Sequence, residues 1–562
     1  LKNEANIVIG GKAGDGIRAA GEVLGEIFNR HGLFTFVRED YQSLIRGGHN
    51  YSQIRASSDR VWSQYSPADV VVAMDERSID NHEDRLGEDD KLIFDSDKVD
   101  YDGEAGRPMP LSSMVEKEEG IEVMRNSVAI GAIAHLYGLD LGIVEGVMEK
   151  NYGKKAEKNV LLAEKGYEYS EENFEKVIEI EFPEDKEIVP FLTGNQAISL
   201  GASKAGLDMY IAYPMTPSTS ILHFTANYRD ELGLTVVQPE NEIGVINMAL
   251  GSAYAGARSM VGTSGGGFAL MQEALSMSGI SETPLLIIEC QRAGPSTGVP
   301  TYTSQADLKF ALNSAHGEFP SIVLAPGDPA EAYYRAGEAL NLAWIHQIPV
   351  ILLSDKHLSE SRMSIEIDFD GVSPEAEKRA ESPGEDYKRY RFTEDGISPL
   401  ARPGTSDAMV KVTSYEHDEY GYTTEDPEGI VAMQDKRKRK WEGIEEDVKN
   451  RNPLKVHGED DSKDLILAWG STKGAVLEAM EILDFPVKFV QPIYLKPFPS
   501  EKVLEHIESA ERAICVEANS TGQLADLIRK EVLEDVDERI LKYDMRPFDP
   551  PELAERLREA FK

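Results

Sequence analysis

The chain has 562 residues with 99 acidic against 59 basic side chains, a formal charge of -40 and a pI near 4.7. That balance argues against a nucleic-acid partner, whose phosphates it would repel. Two distant cysteines, Cys290 and Cys515, exclude a disulfide framework, an all-cysteine zinc site and a run of cluster-ligating cysteines on this chain.

A chain this long is expected to form three or more domains. No apolar stretch is long enough to span a membrane and no signal peptide opens the chain, so a cytoplasmic setting is expected. The chain opens on Leu1 rather than Met, which suggests a short missing N-terminal piece.

Residues 1–186 alternate strand-like and helix-like stretches. "NIVIG" is followed by Ile17, Ala20, Leu24, Ile27 and Phe28 at helical spacing, then by "FTFV", "VVVAM" and "KLIFD". Residues 187–358 repeat the alternation in "MYIAYP", "TVVQ", "SMVGTS", "LLIIEC", "SIVLAP" and "PVILLSD". Short apolar strands separated by helices imply mainly parallel sheets covered on both faces, with ligands at the carboxyl ends of the strands. Residues 359–460 read as a charged, turn-rich excursion whose "KRKRKWE" is taken as an exposed helix face, and residues 461–562 return to α/β. The expected fold class is therefore α/β with several domains.

The opening loop "GGKAGDGIRAAGEVL" lies between a strand and a helix. "GDGIRA" fits the dinucleotide fingerprint in its G-x-G-x-x-A form, with Glu39 and Asp40 placed for a ribose. No Gly-Lys-Ser/Thr follows, which excludes a phosphate-loop ATPase. The Asn that a thiamine-type GDG metal motif needs after the next helix is also missing. A tight strand-to-helix turn is favoured over nucleotide binding.

Three later loops carry more chemistry. In "AYPMTPSTS", Tyr213 and Pro214 end a strand, Thr216 stands at an expected N-cap and Pro217 at the first helical position, so hydroxyls and free N–H groups would suit a carboxylate. "QPENEIGVINMALGSAYAGAR" puts Glu242 at the start of a small-residue helix, and "TSGGGFALMQEAL" adds Gly265, Gly266 and Phe268. "ECQRAGPSTGVPTYTSQADL" places Arg292, Thr297 and Thr301 after a strand, a set suited to a small carboxylate. Each has a plainer reading: a satisfied cap, a surface ion pair for Arg292, and a first-turn acid for Glu242.

These stretches together resemble the large subunit of the 2-oxoacid:ferredoxin oxidoreductase family, in its fused gamma–alpha, 2-oxoglutarate synthase form. The opening loop with "YQSLIRGGHNYSQIRAS" is similar to the family's gamma domain, and "YPMTPST" to its Tyr-Pro-Ile-Thr-Pro loop with Met215 for isoleucine. "GPSTGVPT", "EDGISPLARPG", "EHDEYGYTTEDP" and "VEANSTGQL" match further stretches in order.

The resemblance implies a gamma domain at 1–186, a pyrimidine-binding thiamine diphosphate domain at 187–358 and a transketolase C-terminal-like domain at 461–562. It implies that Glu242 activates the cofactor by bonding its aminopyrimidine ring, with Glu240 as a rival. Tyr213, Pro214, Gly265, Gly266 and Phe268 would line the cofactor, and Thr216, Arg292, Thr297 and Thr301 would hold the substrate carboxylate.

The implied reaction is coenzyme A-dependent oxidative decarboxylation of a 2-oxoacid, best read as 2-oxoglutarate to succinyl-CoA, with electrons passed to ferredoxin. Pyruvate or a broad 2-oxoacid range is the alternative substrate reading. The diphosphate–magnesium motif and the [4Fe-4S] cluster would come from a beta subunit, in an alpha–beta or (alpha–beta)2 assembly, with no metal ligand on this chain. Two rivals remain at this point: a Rossmann-type NAD-dependent dehydrogenase built on the first block, and a scaffold subunit that keeps the fold without activity.

Overall fold

The computed structural model describes residues 4–44, 47–176, 180, 182–183, 187–405 and 407–562; Ile45 and Arg46 of the quoted gamma-type stretch, and the expected boundary at residue 186, lie outside them. The chain divides into two compact units. One holds the described residues up to Thr193 together with Glu360–Ile367 and Asp549–Leu553, and the other holds the remainder.

The first unit is built on an eight-stranded mixed sheet in the order Gly106–Met109, Leu86–Asp95, Ala68–Ala73, Glu4–Ala13, Gly47–Ser57, Phe34–Asp40, Arg362–Ser364, Phe191–Thr193. The opening loop is the turn from the strand Glu4–Ala13 into the helix Ile17–Arg30. Gly14 and Gly16 take φ of 103° and 76°, the left-handed region that favours glycine. The Asp15 carbonyl accepts from the Asn126 side chain at 2.5 Å, and a Cβ on Gly16 would stand 3.0 Å from that same amide. The loop is thus a packed turn.

The dehydrogenase reading fails on topology. The dinucleotide fingerprint needs its strand, helix and next strand to form a parallel pair. Here Gly47–Ser57 lies between Glu4–Ala13 and Phe34–Asp40 and runs antiparallel to both. Glu39, the expected ribose acid, is instead paired with Arg18 at 3.0 Å.

The second unit contains two sheets. Seven strands run in the order Tyr494–Lys496, Ile322–Leu324, Pro349–Asp355, Leu285–Gln291, Ser259–Thr263, Met209–Ala212, Thr235–Val237, all parallel except the first. Five strands run in the order Leu454–Gly458, Lys488–Pro492, Asp464–Ala468, Arg512–Glu517, Glu538–Leu541. Tyr494–Lys496 follows directly on the second sheet's Lys488–Pro492 yet pairs with the first sheet. One hydrophobic core accordingly runs through both, from Ile211, Val261 and Ile287 to Leu467, Trp469 and Val490.

The charged excursion is more ordered than its composition suggests. Arg362–Ser364 is a strand of the first unit's sheet, pairing with Phe34–Asp40 and Phe191–Thr193. Further on, Pro427–Lys449 forms a 23-residue helix capped by Asp426. The expectation that "KRKRKWE" is an exposed helix face holds for Lys438 and Glu442 but fails for the other side of the helix, where Lys436, Arg437 and Lys440 are buried. Lys436 and Lys440 share a face with Met433 and Ile444, one helical turn apart. Both ammonium groups reach Glu282, Lys436 at 2.6 and 2.8 Å. Glu282 ends the helix Gln272–Ser281 and lies 154 residues away in sequence, which is why local pattern could not show it.

Candidate functional site

The site lies at the carboxyl edge of the seven-stranded sheet, where four strand-to-helix connections meet. The first follows Met209–Ala212. Its helix begins at Thr219 with Ser218 at the N-cap, so Thr216 and Pro217 fall in the turn before it rather than at the cap and first helical position expected. The Ser218 hydroxyl donates to the Met215 carbonyl at 2.8 Å and so closes the turn instead of capping the helix. Tyr213 and Pro214 are exposed on this loop.

The second connection leads into the helix Glu242–Ala255. Asn241 caps it, its side chain accepting from Gly244 N at 2.8 Å, and thereby fixes Glu242 as the first helical residue. The buried face of this helix is Glu242, Val245, Ile246, Ala249, Leu250 and Ala253, so the carboxyl shares the core-facing stripe. Glu242 is 4% exposed, and its Oε1 has no hydrogen-bond partner. A dipole-complementing acid would face water, as the rival Glu240 does.

The third connection follows Ser259–Thr263. Gly265–Leu270 forms a short helix that approaches Glu242 closely because Gly267 has no side chain: a Cβ there would stand 2.9 Å from Glu242 Oε1. Gly266 opens into free space. Ser264, just before this helix, is fully buried, and its hydroxyl has no partner. Sequence reading passed over Ser264 and Gly267, although the run of three glycines was a signal of close approach. Phe268 packs fully buried, edge-to-face with Phe310 at 5.0 Å, as part of the hydrophobic core.

Beyond Leu285–Gln291 the chain enters the loop that holds Arg292, Thr297 and Thr301. The Arg292 guanidinium donates to the Thr216 carbonyl at 2.9 Å, so two candidates far apart in sequence do meet. Thr301 is buried with an unpartnered hydroxyl. Thr297 sits exposed on a turn. Gly298 has φ 53°, and its Cα lies against the Ala293 carbonyl, so only glycine fits there.

Unpaired buried polar atoms cost free energy unless something completes them. Glu242 Oε1, Ser264 Oγ and Thr301 Oγ1 are such atoms, each on one of these connections. Polar ligand atoms that reached them would satisfy them.

Behind them lies an acidic group. Glu289 is fully buried with neither carboxylate oxygen partnered; burial first, then Asp307 and Asp355, push its pKa well above the ordinary range. Burial raises the Asp307 carboxyl to about 6, and one of its oxygens would stand 2.7 Å from a Cβ on Gly265. No cluster of three or more potential metal ligands occurs among the described residues.

Residues 200–436 match the family model described as pyruvate flavodoxin/ferredoxin oxidoreductase, thiamine diphosphate-binding, and residues 6–169 match pyruvate ferredoxin/flavodoxin oxidoreductase. The alpha subunit of 2-oxoacid:ferredoxin oxidoreductase 2 from Aeropyrum pernix is 32% identical over 98% of this chain and 97% of its own length. The chain belongs to the 2-oxoacid:ferredoxin oxidoreductase family. It is an alpha subunit of that multi-subunit enzyme, and its Glu242 helix and glycine loop lie within the thiamine diphosphate-binding match.

A solved 2-oxoglutarate:ferredoxin oxidoreductase from Magnetococcus marinus, with 2-oxoglutarate, coenzyme A and succinyl-CoA bound, superposes with a TM-score of 0.92 at 32% identity, covering all of both chains. The KorA subunit of a 2-oxoglutarate oxidoreductase from Mycobacterium tuberculosis is 33% identical over 73% of this chain and 64% of its own. No helix among the described residues is long and apolar enough to cross a membrane.

Proposed function

We propose that this subunit contributes the pyrimidine-binding half of an active site that converts 2-oxoglutarate and coenzyme A to succinyl-CoA, with electrons passing to ferredoxin. The observation that carries the reading is Glu242: a buried carboxyl with one unpaired oxygen, held against a glycine helix at the sheet's carboxyl edge. The resemblance in fold to an enzyme solved with 2-oxoglutarate and succinyl-CoA supports the substrate. Relatives named only for 2-oxoacids favour a second reading, a broader range including pyruvate.

Thiamine diphosphate, when bound, supplies the carbanion chemistry that lets a 2-oxoacid lose its carboxylate. The residues of this chain hold and orient. Glu242 would share a proton with the aminopyrimidine ring through Oε1, and its burial strengthens that bond relative to one made in water. Gly265 and Gly266 would admit the ring, with Phe268 on the buried side of the same helix and Tyr213 and Pro214 at the rim. Arg292, steadied on the Thr216 carbonyl, and the Thr301 hydroxyl would bind the substrate carboxylate, with Thr297 on the exposed side of the same loop.

Magnesium with the diphosphate motif, and the [4Fe-4S] cluster, would be held by a beta subunit in an alpha–beta or (alpha–beta)2 assembly. Supporting this, the elements that carry the site expose Ile243 at 52%, Met248 at 49% and Leu270 at 52%, an apolar surface that suits a protein partner.

The test is anaerobic, coenzyme A-dependent dye reduction by the complex isolated through this chain, with 2-oxoglutarate, pyruvate and a branched 2-oxoacid in parallel. Preference for 2-oxoglutarate sustains the reading, comparable rates select the broader one, and no reduction with any of them overturns both.

A further inference from the structure

The loop that holds Arg292 and Thr301 does not stand by itself. Four residues after Thr301, Gln305 is fully buried, and every one of its polar groups is bonded to residues just past the carboxyl ends of two strands of the five-stranded C-terminal sheet. Its Nε2 donates to the Trp469 carbonyl at 2.8 Å. Its Oε1 accepts from the Thr472 hydroxyl at 2.8 Å and from Ala518 N at 3.0 Å. Its backbone N–H donates to the Ala518 carbonyl at 2.8 Å, and its own carbonyl accepts from Asn519 Nδ2 at 3.2 Å.

Trp469 and Thr472 follow the strand Asp464–Ala468, while Ala518 and Asn519 follow Arg512–Glu517, so one glutamine spans the carboxyl ends of two adjacent strands. The receiving surface is itself rigid. Asn519 Oδ1 accepts from Gly522 N at 2.8 Å, and Glu517 Oε2 accepts from Leu524 N at 2.8 Å. Gly470 lies against the glutamine amide, where a Cβ would stand 2.9 Å from Gln305 Nε2. The next turn is tied in the same way: Gln523 Nε2 donates to the Ala306 carbonyl at 2.7 Å, and Lys309 N donates to Gln523 Oε1 at 2.8 Å.

We infer that Gln305 is a positioning residue for the 2-oxoacid: through it the C-terminal sheet sets where the Arg292–Thr301 loop presents its hydroxyl and guanidinium, so this sheet takes part in substrate binding without touching substrate. The inference rests on the proposed role of Arg292 and Thr301. Its physical basis is the cost of losing register, since a loop with five buried hydrogen bonds at one end cannot shift without leaving several of those groups unpaired. A displacement on the order of an ångström in a binding loop is enough to stretch a charge-assisted hydrogen bond to a bound carboxylate beyond its favourable length, which weakens binding.

The experiment uses the assembled complex with Gln305→Met, which keeps the side-chain length and removes both polar atoms, and with Thr472→Val, which removes one hydroxyl on the far side of the clamp. Michaelis constants for the 2-oxoacid and for coenzyme A are measured beside thermal melting. The expected result for Gln305→Met is a KM for the 2-oxoacid raised about tenfold, with kcat and the coenzyme A KM changed by less than about threefold. Thr472→Val should move the same constant in the same direction by about two- to threefold, through loss of a single hydrogen bond.

An unchanged 2-oxoacid KM in a Gln305→Met complex overturns the inference, as does a uniform rise in both Michaelis constants. If the wild-type complex turns over no 2-oxoacid, the functional reading falls. The clamp is then judged by hydrogen exchange of residues 297–304: faster exchange in Gln305→Met upholds positioning, and unchanged exchange overturns it.

Discussion

Glu242 and Glu282 are two buried glutamates of the same unit, 4% and 1% exposed, and they have opposite surroundings. Glu282, ahead of the strand Leu285–Gln291, is met by Lys436 and Lys440, and the Arg389 guanidinium donates to its backbone carbonyl at 2.6 Å. Those cations hold its carboxyl well below the usual range against the opposing effect of burial, while burial draws the Lys436 ammonium down to about 7. Glu242, at the carboxyl edge of the sheet, keeps an oxygen with no partner. A buried charge with matched partners fixes chain to chain, and a buried carboxyl left incomplete is available to a ligand.

Exchanging each carboxyl for an amide separates the two roles. Glu242→Gln should leave assembly and melting intact and cut turnover by about 10²-fold or more, because the shared proton is lost; near-normal dye reduction would remove Glu242 from the mechanism. Glu282→Gln should do the reverse. It strands two buried ammonium groups and is expected to cost about 3–5 kcal/mol in urea denaturation, with turnover per assembled complex close to wild type.

Two smaller effects sharpen the contrast. Arg292→Lys keeps the charge but loses the planar fork, and should raise the 2-oxoacid KM about tenfold in steady-state kinetics while thiamine diphosphate affinity holds. Asp307→Asn tests the acidic group behind the site. Burial places the Asp307 carboxyl at about 6, above its unfolded value of about 3.9. Its contribution to stability is therefore fully present below about pH 4 and is lost as pH rises through about 6. The asparagine variant lacks that loss. Its melting temperature relative to wild type should rise between pH 4 and 7, and a constant difference across that range would show that Asp307 does not titrate there.

Much of the site could be read along the chain. The short apolar runs implied mainly parallel strands, and those of the second block pair in that way. The sequence put Glu242 at the start of the small-residue helix, where the structure has it, but that its carboxyl joins the buried stripe was a finding of the structure. The meeting of Arg292 with Thr216 was less legible, since it joins loops 76 residues apart. Thr216 itself stands two residues before the N-cap it was expected to fill; Ser218 occupies that position, with its hydroxyl bonded to the Met215 carbonyl. Ser264 carried no local signal beyond its glycine neighbours; its burial, not its identity, marks it.

Sequence by itself determined the alternation of strands and helices, the glycine- and proline-shaped turns at the strand ends, and the absence of a cysteine set for a cluster. These are properties of residues within a few positions of one another, where steric limits on the backbone and apolar periodicity act directly. Tertiary structure alone decided that Lys436 and Lys440 of "KRKRKWE" are interior anchors, that Arg362–Ser364 joins the first unit's sheet, and that Gln305 ties the Arg292–Thr301 loop to the strand ends of the C-terminal sheet. A lysine or glutamine reads as solvated until its partner is known, and each of these partners lies more than 100 residues away.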